Sequence, residues 1–518
     1  MSYSHPDVRR LRREFHPRRP EGGGSRYLRD AGSGGISVTT LPANNMDFKA
    51  RPLVVDLDGT LVKSDLLIET AFSELGQRPH SLFDMARALC SGKAALKHRL
   101  SEPQDFDPAV LPYDGEVLEY IKKARCEGRP VYIASASHEY LVRRVADHLG
   151  LFTGWFATDA TTNCAGEIKA QKLVEAFGER NFDYIGNDMA DLPVWQKAAS
   201  AVAIRTPAGV LRKLGRTCPV VERLASDRPT LKSWAKQARV HQYAKNALVF
   251  VPLVTGHVFE LHAFFLAFLA AVAFSLCASS VYILNDLIDL QDDRRHSTKS
   301  HRPLANGTIP LSHGLLAIPL LLTAAVSLAA VISLPFMGVL IGYFALTTAY
   351  SLFLKRQMLV DVITLAALYT MRVVGGAVAL NTGISVWLLA FFMAWFLSLA
   401  LIKRYIELAG RREAKLPDIT SRDYRNSDIE MVAALAAAMG FNAVTVFVLY
   451  VSSDTVDQLY SRPEILWLIG PVLIYWIARA LMLARRGLMH DDPVVFALKD
   501  RVSLASVAII IALVVIAM

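Results

Sequence analysis

Residues 285–310 read NDLIDLQDDRRHSTKSHRPLANGTIP, and an apolar run over 262–284 leads directly into them. Asn285, Asp289 and Asp293 recur at intervals of four, which places them on one face of a helix. Carboxylates crowded on one face raise one another's pKa unless a cation sits among them. Their oxygens suit Mg²⁺, which retains waters and takes further ligands from a substrate's phosphates. Arg294, Lys299 and Arg302 follow at once, and guanidinium and ammonium groups suit phosphate. The stretch therefore joins acid for a metal to base for phosphates at the end of a membrane-length helix. A solvated basic loop would account for the arginines but not for the acidic face.

The 518-residue chain is 53% hydrophobic, with net charge +9. It is too apolar for a soluble protein of this length, yet its first half is too charged for a membrane protein throughout, which implies at least two domains. Much of the positive charge lies in the N-terminal tail and in loops between apolar runs. That distribution favours an anionic membrane face and not nucleic acid. Five scattered cysteines (Cys90, Cys126, Cys164, Cys218, Cys277) show no metal or redox spacing and fit a reducing compartment.

Taken in order, residues 1–48 form an Arg-, Gly- and Ser-rich tail, expected to be disordered because it has little to bury. Residues 49–228 read as a soluble α/β domain. Short apolar strands at 53–55, 131–134 and 183–185 run into Asp56-Leu57-Asp58-Gly59-Thr60, Ser135 and Gly186-Asn187-Asp188. Polar residues at the ends of parallel strands form the ligand crevice of such folds. A basic linker over 229–242 follows, and 243–518 is membrane-like.

The α/β segment resembles the haloacid dehalogenase superfamily. The resemblance implies a Rossmann-like fold with a helical cap over about 66–128, and an Mg²⁺-dependent phosphatase. Asp56 would be the nucleophile and Asp58 the general acid and base. Ser135 would bind phosphate, and Lys169 would neutralise it, with Lys172 as the competing choice. Asp56, Asp58, Asn187, Asp188 and Asp191 would hold the metal. Asn187 stands where the pattern has an aspartate. A carboxylate attacks a phosphate dianion only once a lysine and a metal have cancelled the repulsion, so this residue set is what the chemistry needs.

Roughly nine apolar runs beyond residue 243 are long enough to span ~30 Å. They lie near 243–258, 262–284, 311–334, 336–354, 359–380, 384–402, 431–451, 465–483 and 502–518. Alternate loops are basic, so those loops and the α/β domain are expected on the cytoplasmic side. Tyr350 and Lys355 close one run, and Lys403 and Arg404 close another. Asp361 and Arg372 fall within a run, where an unused charge would cost roughly 2.5–3.5 kcal/mol on insertion scales.

This all-α polytopic part resembles the UbiA superfamily of membrane-embedded prenyltransferases, through Asn285-xxx-Asp289-xxx-Asp293 and Lys299-Ser-His-Arg302-Pro303. The family carries a second DxxxD, whereas here Leu365 stands four residues after Asp361. With MRVVGGAVA, FLSLALIKRYIELAGRR and HDDPVVFALKDR, the chain looks like the decaprenyl-phosphate phosphoribosyltransferase branch. That branch implies an Mg²⁺ on Asn285, Asp289, Asp293 and Asp361. It implies that Arg294, Lys299, Arg302, Tyr350, Lys355, Arg372, Lys403 and Arg404 contact substrate. The substrates implied are phosphoribosyl pyrophosphate and polyprenyl phosphate in a bacterial inner membrane, with the phosphatase removing the 5-phosphate from the product to supply pentose for the cell envelope. The alternative is an aromatic prenyltransferase of a quinone or haem pathway with a phosphatase-like appendage.

Overall fold

A parallel six-stranded sheet forms the core of the first part of the computed structural model, which describes residues 51–518 except 79, 102–105, 160–161, 219–220, 226–227, 384, 416–422 and 490–491. The expected disordered tail at 1–48 lies outside the described residues. The strands are β1 (Leu53–Val55), β2 (Val131–His138), β3 (Gly154–Thr158), β4 (Asp183–Gly186), β5 (Ser200–Ala203) and β6 (Val221–Arg223), in spatial order β3-β2-β1-β4-β5-β6. Leu53 of β1 pairs with Val131 on one side and Asp183 on the other. Three adjacent strands thus deliver Asp56, Ser135 and the 187–191 loop to one edge, where the strand order reverses and such sheets bind ligands. The β1 residues are fully buried between helices on both faces, as an all-apolar strand in a parallel sheet should be.

The insert between β1 and β2 differs from a simple cap. Helix Gly115–Cys126 buries Val117, Ile121 and Ala124 in the sheet's own core. Helix α1 (Leu66–Gln77) starts from an Asp65 cap, whose side chain accepts from Ile68 N at 3.0 Å, and packs against the membrane part. There Glu69 meets Arg294 at 2.7 Å, with both side chains almost fully buried. The contact is an ion pair. Arg294 instead donates to Ala305 O at 2.8 Å through Nε. Arg356 donates to Gly76 O, and Lys236 donates to His301 O at 2.8 Å.

Seven helices among the described residues are long and apolar enough to cross a membrane, or eight if Pro493–Lys499 and Arg501–Ala517, bent by 80°, form one broken span. They include α2 (Leu261–Ile288), α3 (Leu311–Ile332), α4 (Leu334–Leu352), α5 (Val360–Ala379) and α6 (Val386–Glu413). The chain is an integral multi-pass membrane protein. The shortfall from nine lies chiefly at 243–258, which is a 3-10 helix, Val240–Phe250, followed by the short helix Val251–Thr255. Lys245 and Asn246 are buried there, facing polar partners inside the bundle instead of lipid. The linker is likewise a folded element: Gln237 donates to Asp286 at 2.7 Å and accepts from Leu304 N at 3.2 Å.

Asp361 and Arg404 pair inside the helical bundle, both completely buried, and Tyr424 OH donates to the same carboxylate at 2.7 Å. Removing one member of a buried pair strands the other charge and costs about 3–5 kcal/mol. Arg404→Met should therefore lower the thermal unfolding temperature in detergent sharply, and Arg294→Ala should do the same by stranding Glu69. Unchanged melting in both variants would show that neither pair stabilises the fold.

Candidate functional sites

The turn after β1 carries the first site. Gly59 adopts φ +73°, and a Cβ there would lie 2.3 Å from Asn187 Nδ2, so only glycine fits the turn beside that loop. Asp56 Oδ1 accepts from Lys169 Nζ at 2.8 Å, and Oδ2 accepts from Thr60 at 3.1 Å. Burial lifts the Asp56 pKa to about 7; Lys169 opposes the rise and Asp191 adds to it. Burial works against the Lys169 ammonium, but Asp56 and Asp191 outweigh it and raise its pKa. Lys169 is thus the lysine that meets Asp56, the expected nucleophile. Lys172, the competing choice, does not line the cavity.

Asp58 is held by Leu66 N at 2.8 Å and by the hydroxyls of Ser135 and Ser137 at 3.1 and 2.6 Å. Ser135 is fully buried and does not line the cavity, so it orients Asp58 instead of meeting phosphate. Asp191 is committed too: it accepts from Tyr184 OH at 2.7 Å, Asn187 N at 2.9 Å and Asp188 N at 3.2 Å. It thereby shapes the 187–191 loop. Asp56, Asp58, Asn187, Asp188 and Asp191 all line the cavity of about 420 Å³.

The second site lies among the ends of the membrane helices, in a cavity of about 450 Å³. Asn285, Asp289, Asp293, Lys299, Arg302, Tyr350, Lys355, Arg372 and Lys403 all line it. The helical ladder continues past the end of α2, with Asp289 N donating to Asn285 O and Asp293 N to Asp289 O, so the three expected ligands do share a face. Lys355 Nζ sits 3.3 Å from Asn285 Oδ1 and 2.9 Å from Asp289 Oδ2, a cation where those oxygens converge. Asp293 pairs with Arg302, which also reaches Asp286 at 2.9 Å.

Three expected residues are not brought in. Arg294, one residue on from Asp293, is turned away from the cavity and taken up by Glu69 and Ala305 O. Arg404 pairs with both Asp361 and Glu407, and neither Asp361 nor Arg404 lines the cavity. In their place the structure adds Lys245, Tyr343, Tyr369, Glu407 and Asp492. Lys245 and Lys403 flank Asp492 at 2.9 and 3.1 Å. Burial alone would raise the Asp492 pKa, but the two lysines hold it well below the usual carboxylate range. A lysine inside an apolar run was the available sequence signal for Lys245, and the HDDP block was the signal for Asp492.

Arg372 is buried at the deep end of this cavity. It donates to Asn246 Oδ1 at 2.8 Å, Leu368 O at 2.6 Å and Tyr343 OH at 2.7 Å, and its guanidinium carbon lies 5.5 Å from the Tyr369 ring centre. Among the described residues no carboxylate pairs with it. Nor do three His, Cys, Asp or Glu side chains converge as a metal cage among those residues. Both donor sets are open-sided, pairing carboxylates with an amide oxygen. That chemistry fits Mg²⁺, whose remaining positions go to water and phosphate.

Comparison with known proteins agrees with both halves. The haloacid dehalogenase-like hydrolase family model matches residues 53–196, and the UbiA prenyltransferase family model matches 246–499. An uncharacterized protein of Sinorhizobium fredii, y4nM, is 35% identical over 87% of this chain and 88% of its own length. The nodulation protein NoeC of Azorhizobium caulinodans is 34% identical over 53% of this chain and 90% of its own. The decaprenyl-phosphate phosphoribosyltransferase of Mycobacterium tuberculosis is 33% identical, but over only 33% of this chain and 59% of its own. The chain belongs to the UbiA prenyltransferase family, with a haloacid dehalogenase-like hydrolase domain fused ahead of its membrane-spanning part.

Proposed function

We propose that the chain is a bifunctional enzyme that transfers 5-phosphoribose from phosphoribosyl pyrophosphate to a polyprenyl phosphate and then removes the 5-phosphate. The observation that carries this reading is the two-ended charge of the membrane cavity. One end gathers Asn285, Asp289 and Asp293 with Lys299, Arg302 and Lys355; the other holds Arg372 without an acidic partner, near Lys245 and Lys403. A buried guanidinium resting only on neutral oxygens and rings calls for an anion. Phosphoribosyl pyrophosphate carries one at each end, a diphosphate and a 5-phosphate. The partial match to phosphoribosyltransferases supports the same substrate.

In this reading Asn285, Asp289 and Asp293 would hold an Mg²⁺ that offsets charge on the leaving diphosphate. Lys299, Arg302 and Lys355 bind its oxygens. The bond from the anomeric carbon to pyrophosphate breaks as the lipid phosphate oxygen bonds to that carbon, and pyrophosphate leaves. The acceptor is already an anion, so it needs no general base. Positive charge builds up on the sugar in the transition state, between the lipid phosphate and the departing diphosphate, whose negative charges offset it. In the second reaction Asp56 takes the phosphoryl group, Asp58 gives its proton to the departing sugar oxygen, and water then releases phosphate from Asp56. An Mg²⁺ on Asp56, Asn187 and Asp188 would supply the charge compensation that this attack requires.

The working arrangement is a bacterial inner membrane protein with both cavities on the cytoplasmic side, where soluble phosphoribosyl pyrophosphate is found. Its lipid product would serve as a pentose donor for the cell envelope.

The reading is tested by giving the purified chain polyprenyl phosphate, labelled phosphoribosyl pyrophosphate and Mg²⁺, and following the lipid by mass spectrometry. Wild type should yield polyprenyl-phosphoryl-ribose, and Asp56→Asn should accumulate the 5-phosphorylated lipid. Labelling of an aromatic acceptor from a prenyl diphosphate would favour the quinone- or haem-type alternative instead. Asp289→Asn should abolish transfer and weaken Mg²⁺-dependent diphosphate binding by calorimetry. Arg372→Met should lower kcat/KM for phosphoribosyl pyrophosphate about 100-fold, on the order of what one preorganised donor contributes to a transition state.

A further inference from the structure

The cavity over Asp56 has a wall that the hydrolase-like domain does not supply. Gly307, Pro310, Leu311, Ser312 and His313 line it, and all belong to the membrane part. The insert expected to cover the nucleophile contributes none of its helices: among the described residues the lining passes from Asp65 directly to Ala136. Helix α1 is occupied elsewhere, packed on α2 with Glu69 against Arg294. The segment between α2 and α3 therefore stands where a cap would stand. Its seating is tight. Gly307 adopts φ +74°, and a Cβ there would lie 2.3 Å from Lys63 Cβ and 2.5 Å from the Lys63 carbonyl oxygen.

Ser312 and His313 are exposed in the first turn of α3, and among the described residues neither side chain has a hydrogen-bond partner in the protein. On this helix His313, Leu316 and Leu320 are three and seven residues apart and share a face. Leu316 and Leu320 are 68% and 71% exposed, so the face that begins in the cavity continues as a strip presented to lipid. A molecule with a polar head in the cavity and an apolar tail has a continuous surface to lie on. A soluble phosphomonoester would use only the head of it.

Building on the phosphatase reading above, we propose that Ser312 and His313 determine the specificity of the phosphatase site. They donate hydrogen bonds to the sugar of a lipid-borne phosphomonoester while its terminal phosphate lies at Asp56. A hydroxyl and an imidazole suit uncharged hydroxyl groups, and the lysine needed for the phosphate is already supplied by Lys169. The hydrolase is thereby a two-domain site selective for substrates held at the membrane.

The test uses the full chain in lipid nanodiscs with two substrates, p-nitrophenyl phosphate and synthetic polyprenyl-phosphoryl-5-phosphoribose, which bypasses the transferase. For His313→Ala the KM for the lipid should rise about tenfold with kcat little changed, the effect of one lost hydrogen bond. The loss in kcat/KM should be several-fold greater for the lipid than for p-nitrophenyl phosphate, and His313→Gln should restore most of it. Equal effects on both substrates, or none on either, would overturn the assignment of His313 while leaving the phosphatase reading intact. Failure of the wild-type chain to hydrolyse the lipid while it hydrolyses p-nitrophenyl phosphate would overturn that reading itself, and the specificity proposal with it.

Discussion

The pairing of Arg302 with Asp286 and Asp293 is the contact on which both cavities depend. It ties the segment after α2 back onto the helix it has just left. Gln237 and Arg239 complete the shell around Asp286, so the linker is fastened at the same point. With that segment fixed, its first half presents Asp289, Asp293, Lys299 and Arg302 to one cavity. Its second half presents Gly307 and the start of α3 to the other. Charges at a bilayer surface are kept in place here by mutual neutralisation, which leaves open only those groups that face a cavity.

The two cavities compensate charge differently. In the hydrolase-like domain one lysine, Lys169, serves Asp56 and Asp191 together, and a tyrosine stiffens the cluster. In the membrane part, Lys355 and Arg302 neutralise the carboxylates at the rim, while the excess cation lies deep, at Arg372. An unbalanced buried charge in a helix bundle is expensive. Its persistence in a cavity wall, stacked near Tyr343 and Tyr369, fits a site built for an anion.

The sequence was most legible where local spacing sufficed. The i, i+4 rhythm of Asn285, Asp289 and Asp293 translated directly into a shared face, and DLDGT after an apolar strand marked the nucleophile turn. Spacing could not say which way Arg294 points, because one residue's step on a helix turns the side chain by about 100°. Nor could it tell a functional buried charge from a self-satisfied one. Asp361 and Arg372 sit in the same run, yet Asp361 finds Arg404 forty-three positions away and Arg372 finds no acid among the described residues. The Lys245–Asp492–Lys403 cluster joins three distant segments, and no local pattern reports such a meeting. The helical insert misled for a related reason: its length resembles a cap, but helix Gly115–Cys126 packs into the sheet's own core and helix α1 against the membrane part.

Gly307 ties the two halves of the chain in register. With Lys63 pressed against its backbone, the connecting segment has no slack on the hydrolase side, and Arg302 leaves little on the other. An insertion or deletion that reshaped one pocket would deform the other, so the two cavities cannot be altered independently through this segment. Separated into two polypeptides, the hydrolase half would lack one side of its own pocket, which gives a physical reason for the halves to remain one gene product.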